Sequence, residues 1–175
     1  MQTRYTATAR WLHWLTAAAV LVMVVLGVWM TAFEPKDEAF KFRLYHFHES
    51  LGFTLLLVTL FRLGWRSSNP PPPLPADLAA PLRLAAHGNH AVLYALLLMQ
   101  PVVGFLATNA WGFPFTWWGL LPIPSPLGRD EALAPVLSAI HYWSAIALAA
   151  LICLHAGAAL WHQYIRRDGT LDKMR

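Results

Sequence analysis

Charge is what this chain lacks most. Only 13% of its 175 residues are charged while 57% are hydrophobic, whereas soluble domains carry about 25% charge. That balance excludes an ordinary soluble domain, and the length allows a single domain over residues 1–175. Cysteine is almost absent: Cys153 stands alone inside an apolar run. It excludes an intrachain disulfide, no Cys-x-x-Cys-His signature for covalent haem is present, and Cys153 reads as a small buried apolar residue. Carboxylates are nearly missing from the apolar runs, which counts against a four-ligand zinc site. There is no internal repeat and no phosphate-binding glycine loop.

What is abundant is long apolar sequence. Four stretches are long enough to cross a bilayer: about 11–32, 48–65, 87–110 and 135–164. Nine Trp and nine Phe suit a membrane protein, which places Trp at the interfaces. Arg4 and Arg10 before the first run resemble a signal peptide, but the run of about 22 residues lacks a small-residue cleavage site and reads as a retained span. The proline run in RSSNPPPPLPADLAAP reads as a stiff connection between spans two and three. Pro101 is expected to kink span three. WGFPFTWWGLLPIPSPLGRDEA is too broken by Pro and Gly to span, and its aromatics suggest an interfacial segment between helices three and four. The expected fold is all-α, an integral membrane four-helix bundle.

The formal charge is +4. Its positive residues flank the apolar runs, so membrane topology explains them and nucleic acid is not an expected partner. Arg4, Arg10, Arg62, Arg66, Arg83, Arg166, Arg167, Lys173 and Arg175 fall on one side, and Lys36, Lys41, Arg43 and Arg129 on the other. The positive-inside rule then puts both termini in the cytoplasm.

The last span organises the rest. It carries His141, His155 and His162, and between Trp143 and Trp161 the only strongly polar side chain is His155. An ionisable residue inside a span is expensive and is a functional hypothesis by default. His141 and His155 are 14 residues apart, so they leave one helix face about 21 Å apart along the axis. Depth pairs His155 with His13 near the cytoplasmic side, and His141 with His48 near the opposite side. His46 and His87 read as interfacial side chains; His90 and His162 are open between structural and functional roles. Gly52, one turn beyond His48, leaves room for something bulky. Two facing imidazoles saturate both axial positions of a haem iron, so the chemistry expected is electron transfer rather than oxygen binding.

RWLHWL around His13, FHESLGF around His48, HGNHAVLYALLLMQPVVG around His90 and IHYWSAIALAALICLHAGAALWHQY around His141 and His155 together resemble the bacterial cytochrome b561 family over essentially the whole chain. That family comprises four-helix di-haem membrane cytochromes; it includes superoxide oxidase and is related to cytochrome subunits of formate dehydrogenases and hydrogenases. The resemblance implies a cytoplasmic-side haem b on His13 and His155, a periplasmic-side haem b on His48 and His141, and a location in the bacterial inner membrane. It also implies a quinone site near the cytoplasmic haem, with His162 as a candidate and His90 and Arg83 nearby. Arg10 or Arg83 inside, and Lys41, Arg43 or Arg129 outside, are candidates for haem propionates.

The function implied is transfer of electrons from a periplasmic donor, superoxide, to ubiquinone. Lys36, Lys41, Arg43 and Arg129 can steer the anion or be ordinary loop charges beside Glu34, Asp37, Glu38, Asp130 and Glu131. The alternatives are a quinone-linked cytochrome subunit of a larger dehydrogenase or hydrogenase, and a haem-free, histidine-lined metal or proton transporter.

Overall fold

The computed structural model describes residues 4–33 and 35–175; Glu34 lies outside them. It has four long helices: α1 (Ala7–Ala32), α2 (Glu38–Ser68), α3 (Ala80–Ala110) and α4 (Leu133–Trp161). All four are long and apolar enough to cross a membrane. Only 6% of the apolar window of α1, and 6% of that of α4, is buried inside the protein. Much of the remaining apolar surface is exposed, where lipid suits such side chains.

Each helix starts where a side chain accepts from the unpaired first-turn donors or a proline removes one of them. Thr6 accepts from Ala9 N at 3.2 Å, and Asp37 accepts from Phe40 N at 2.8 Å. Asp130 Oδ1 accepts from Ala132 and Leu133, both at 3.0 Å. Pro stands in the first turn of α3, where its missing N–H costs nothing. The Asp37 cap explains the first departure from the sequence reading: the polar stretch before His46 is helical and opens α2. At 31 residues, α2 is longer than the roughly 20 residues a bilayer needs. Likewise α3 starts at Ala80 and runs on through Pro101.

The connection 69–79 is non-helical, as its prolines dictate. The segment between α3 and α4 is a small antiparallel hairpin, β1 (Phe115–Trp117) and β2 (Leu121–Ile123), so a short piece of sheet joins the helical bundle. Its turn places Trp118 (φ 52) and Gly119 (φ 70) in the left-handed region, which a tight hairpin requires. The hairpin is pinned to α2. Trp118 N donates to Ser50 Oγ at 3.0 Å, and the Trp117 and Trp118 indoles both donate to Thr54 Oγ1 at 3.1 Å.

Consecutive helices pack directly, α1 on α2, α2 on α3 and α3 on α4. Among the described residues, α4 makes at most marginal backbone contact with α1 or α2. Both termini lie at the same end. Tyr5 N donates to Lys173 O at 3.1 Å, the Trp14 indole donates to Met174 O at 2.9 Å, and Lys173 Nζ ties the tail to Pro73 O at 2.7 Å. Cys153 is exposed on α4 rather than buried, because it lies on the outward apolar face.

Candidate cofactor-binding site

The wide helix seams are where the histidines meet. His13 of α1 faces His155 of α4 with ring centroids 6.2 Å apart and an interplanar angle of 60°. His48 of α2 faces His141 of α4 with centroids 6.2 Å apart and an angle of 77°. Both pairings expected from depth are therefore present, one at each end of α4. The separation is informative. Two imidazoles on opposite sides of one metal ion, with metal–nitrogen bonds of about 2 Å, put their ring centres about 6 Å apart. No hydrogen bond joins the rings within either pair among the described residues, and no group of three or more His, Cys, Asp or Glu side chains is placed to hold a metal ion. The arrangement is two separate pairs of facing imidazoles.

The outer pair is built in detail. His141 Nδ1 donates to the main-chain carbonyl of Gln100 at 3.1 Å. That bond fixes the proton on Nδ1 and leaves Nε2 to ligate. The Gln100 side chain donates to His141 O at 3.1 Å and Ser144 Oγ at 2.8 Å, locking α3 to α4 at this depth. Gly104, one turn beyond Gln100, makes room for the ring. A Cβ there would lie 2.9 Å from His141 Cε1 and 3.1 Å from Nδ1, closer than atoms pack. At Gly52 a Cβ would meet only Met23 Cε at 3.4 Å and Pro101 Cβ at 4.0 Å, so the space there serves helix packing. Among the described residues His48 Nδ1 is buried without a hydrogen-bond partner, an expensive state for a polar atom.

At the other end, Arg62 of α2 reaches His13: its guanidinium lies 3.4 Å from His13 Nδ1 and 5.5 Å from the Tyr94 ring centre. Sequence reasoning counted Arg62 only as a flanking positive charge. Its signal was its position, one turn inside Trp65. His90 stands 5.3 Å from His155, ring to ring. His90 and Arg83 line one recess of about 330 Å³ together with Tyr5, Arg66 and His87. Arg83 also donates to the carbonyls of Ala76 and Leu78, and Arg10 donates to Arg175 O. His162 is not among the residues of that recess; its Nδ1 meets Asp168 Oδ2 at 2.6 Å.

Of the four cations expected on the outside, two are in ion pairs among the described residues. Lys41 pairs with Glu38 at 3.7 Å, Arg129 with Glu131 at 2.8 Å, and Arg43 lies 5.9 Å from the Phe40 ring centre. His46 bonds the hairpin at Thr116 O, 2.9 Å away.

Comparison with known proteins agrees with this geometry. The family model for prokaryotic cytochrome b561 matches residues 4–175. Cytochrome b561 homolog 2 of Escherichia coli strain K12 is 34% identical over 172 residues, covering 98% of this chain and 90% of the relative. The probable superoxide oxidase CybB of Yersinia pestis is 29% identical over 178 residues, covering 99% and 97%. Cytochrome b562 of Cereibacter sphaeroides is 28% identical over 176 residues, covering 97% and 94%. Paired imidazoles in a four-helix membrane bundle and a family match along the whole chain lead to one conclusion: the protein belongs to the prokaryotic cytochrome b561 family, as a multi-pass membrane b-type cytochrome and oxidoreductase that binds haem b.

Proposed function

We propose that the chain holds two haem b groups, on His13 with His155 and on His48 with His141, and moves electrons from superoxide at the periplasmic face to ubiquinone near the cytoplasmic face. Both termini are cytoplasmic in this reading. The observation that carries it is the repeated 6.2 Å ring separation at both ends of α4. A haem b held by two imidazoles would supply one-electron transfer rather than oxygen binding.

The residues of the chain set up that chemistry. Gln100 orients His141 through its carbonyl and keeps Nε2 available. Gly104 leaves the ring its place. The hairpin, anchored at Ser50 and Thr54, packs on α2 within two turns of His48. At the inner pair, ligation through Nε2 requires the His13 proton on Nδ1, so Arg62 must give up its 3.4 Å contact there. Its cation is then free for a propionate carboxylate, a role Arg10 cannot fill while bound to Arg175. The recess lined by Arg83 and His90, and the nearby end of α4 with His162, are the candidates for the quinone.

Superoxide as donor rests on the likeness to the probable superoxide oxidase of Yersinia pestis. Of the outer cations, Lys36 and Arg43 have no ion-pair partner among the described residues, so they are the ones best placed to attract an anion. The test is spectroscopic. Purified protein exposed to a steady superoxide source should show haem reduction, and ubiquinone should then reoxidise it. Haem that ignores superoxide but responds to ubiquinol would overturn the donor and leave the quinone end standing.

A further inference from the structure

α4 does not end as an α-helix. His162–Arg166 forms a π-helical turn, and Arg167 follows at φ 56 in the left-handed region. Such turns occur frequently at functional sites, and a non-glycine residue in the left-handed region is uncommon. The turn folds Asp168 back over His162, with Nδ1 and Oδ2 2.6 Å apart. Arg166 Nε donates to the same carboxylate oxygen at 2.7 Å, and Thr170 N donates to the other at 3.0 Å. Arg166 also forms an ion pair at 2.6 Å with Asp77, an exposed residue of the connection between α2 and α3. The His162 side chain is 15% exposed and that of Asp168 12%, so the pair is held largely out of water.

We infer that Asp168 is a positioning residue that fixes the His162 proton on Nδ1 and presents Nε2 as the proton donor to a quinone oxygen. This rests on the proposed quinone reading of His162. A carboxylate behind an imidazole both selects the tautomer and stabilises the imidazolium. Reduction of one quinone to quinol takes two electrons and two protons. The electrons come from two superoxide ions, each leaving as O2. Each proton forms an O–H bond on the quinone as an Nε2–H bond of His162 breaks. The neutral ring keeps its Nδ1 proton toward Asp168 and is recharged at Nε2 from cytoplasmic water.

Of the other charged groups in the tail, Arg167 Nε donates to Tyr164 O at 3.2 Å and Arg175 pairs with Asp172 at 3.4 Å. Asp77 reaches the pair only through Arg166. Lys173 and Arg10 are bonded to the carbonyls of Pro73 and Arg175. Burial works to raise the Asp168 carboxyl, but hydrogen bonds from Thr170 and His162 outweigh it and hold the group at about 2. Asp168 is therefore an anion across the working range.

The test is the pH profile of ubiquinone-1 reduction by the haem-loaded protein under a constant superoxide supply, from about pH 6 to 9. Asp168→Asn removes the charge that stabilises the imidazolium, so the alkaline limb should move to lower pH, with near-normal turnover at about pH 6 and a loss of about tenfold at pH 8. Asp168→Glu should restore the profile. Arg166→Gln keeps the carboxylate but removes the cation facing it, so the limb should move to higher pH. A profile in Asp168→Asn or Arg166→Gln that only scales the wild-type curve overturns the inference. His162→Ala separates the two levels. If it abolishes quinone reduction while Asp168→Asn leaves the profile in place, the positioning role alone fails. If His162→Ala changes nothing, the quinone reading of His162 fails with it.

Discussion

At the scale of single residues, two residues of α3, Gln100 and Gly104, set His141 in place. His141 is aimed by a carbonyl, clamped by an amide and accommodated by a glycine. Gly104→Ala should therefore cost the outer site and spare the inner one. Visible haem absorbance per chain should fall to about half, since a Cβ would sit 2.9 Å from the ring. Unchanged absorbance would show that the ring can shift. Gln100→Ala removes two hydrogen bonds between α3 and α4 and leaves the carbonyl in place. Its expected signature is a loss of about 1–3 kcal/mol, seen as a lower melting temperature with the haem spectrum kept. The histidines themselves were legible in the sequence, because imidazole inside an apolar run demands a reason. Gly104 and Arg62 were not. A glycine shows its purpose only when the neighbour that needs its space is known, and Arg62 looks like any flanking cation until the helix register turns it toward His13.

At the scale of elements, the long apolar runs announced the four helices, but their ends depended on caps. Asp37 carries α2 back through residues that read as a loop, since one carboxylate satisfies a first-turn donor and a polar helix can stand outside the bilayer. The hairpin was illegible for another reason. Its turn places Trp118 in a conformation that sequence disfavours, and the Ser50 and Thr54 contacts offset that cost from across the bundle. Ser50→Ala should leave the Trp118 N–H without its partner, speed amide exchange across 115–123 and leave helix exchange unchanged; equal protection in both proteins would remove Ser50 as the anchor. The tail has its own pH dependence. The Asp168 carboxyl is depressed, so its contribution is fully present above the ordinary carboxylate value near 4 and is lost as pH falls toward about 2. Exchange in 168–175 should rise over that window in the wild type and be insensitive to it in Asp168→Asn.

At the scale of the whole molecule, α4 is the spine. It packs on α3 directly and faces α1 and α2 through histidines, with His141 and His155 separated by nearly four turns. The 14-residue spacing made this arrangement readable before any coordinates, because helix geometry alone puts both rings on one face. The tie between the two ends of the chain was not readable, since main-chain bonds such as Tyr5 N to Lys173 O leave no mark in sequence. The central claim is that each end of α4 holds its own bis-histidine haem. It is tested most directly by haem b per chain in the purified wild type, His141→Ala and His155→Ala. About two haems are expected in the wild type and about one in each variant, the spectrum of one variant complementing that of the other. Full haem content in both variants, or a wild type with no haem, would contradict it.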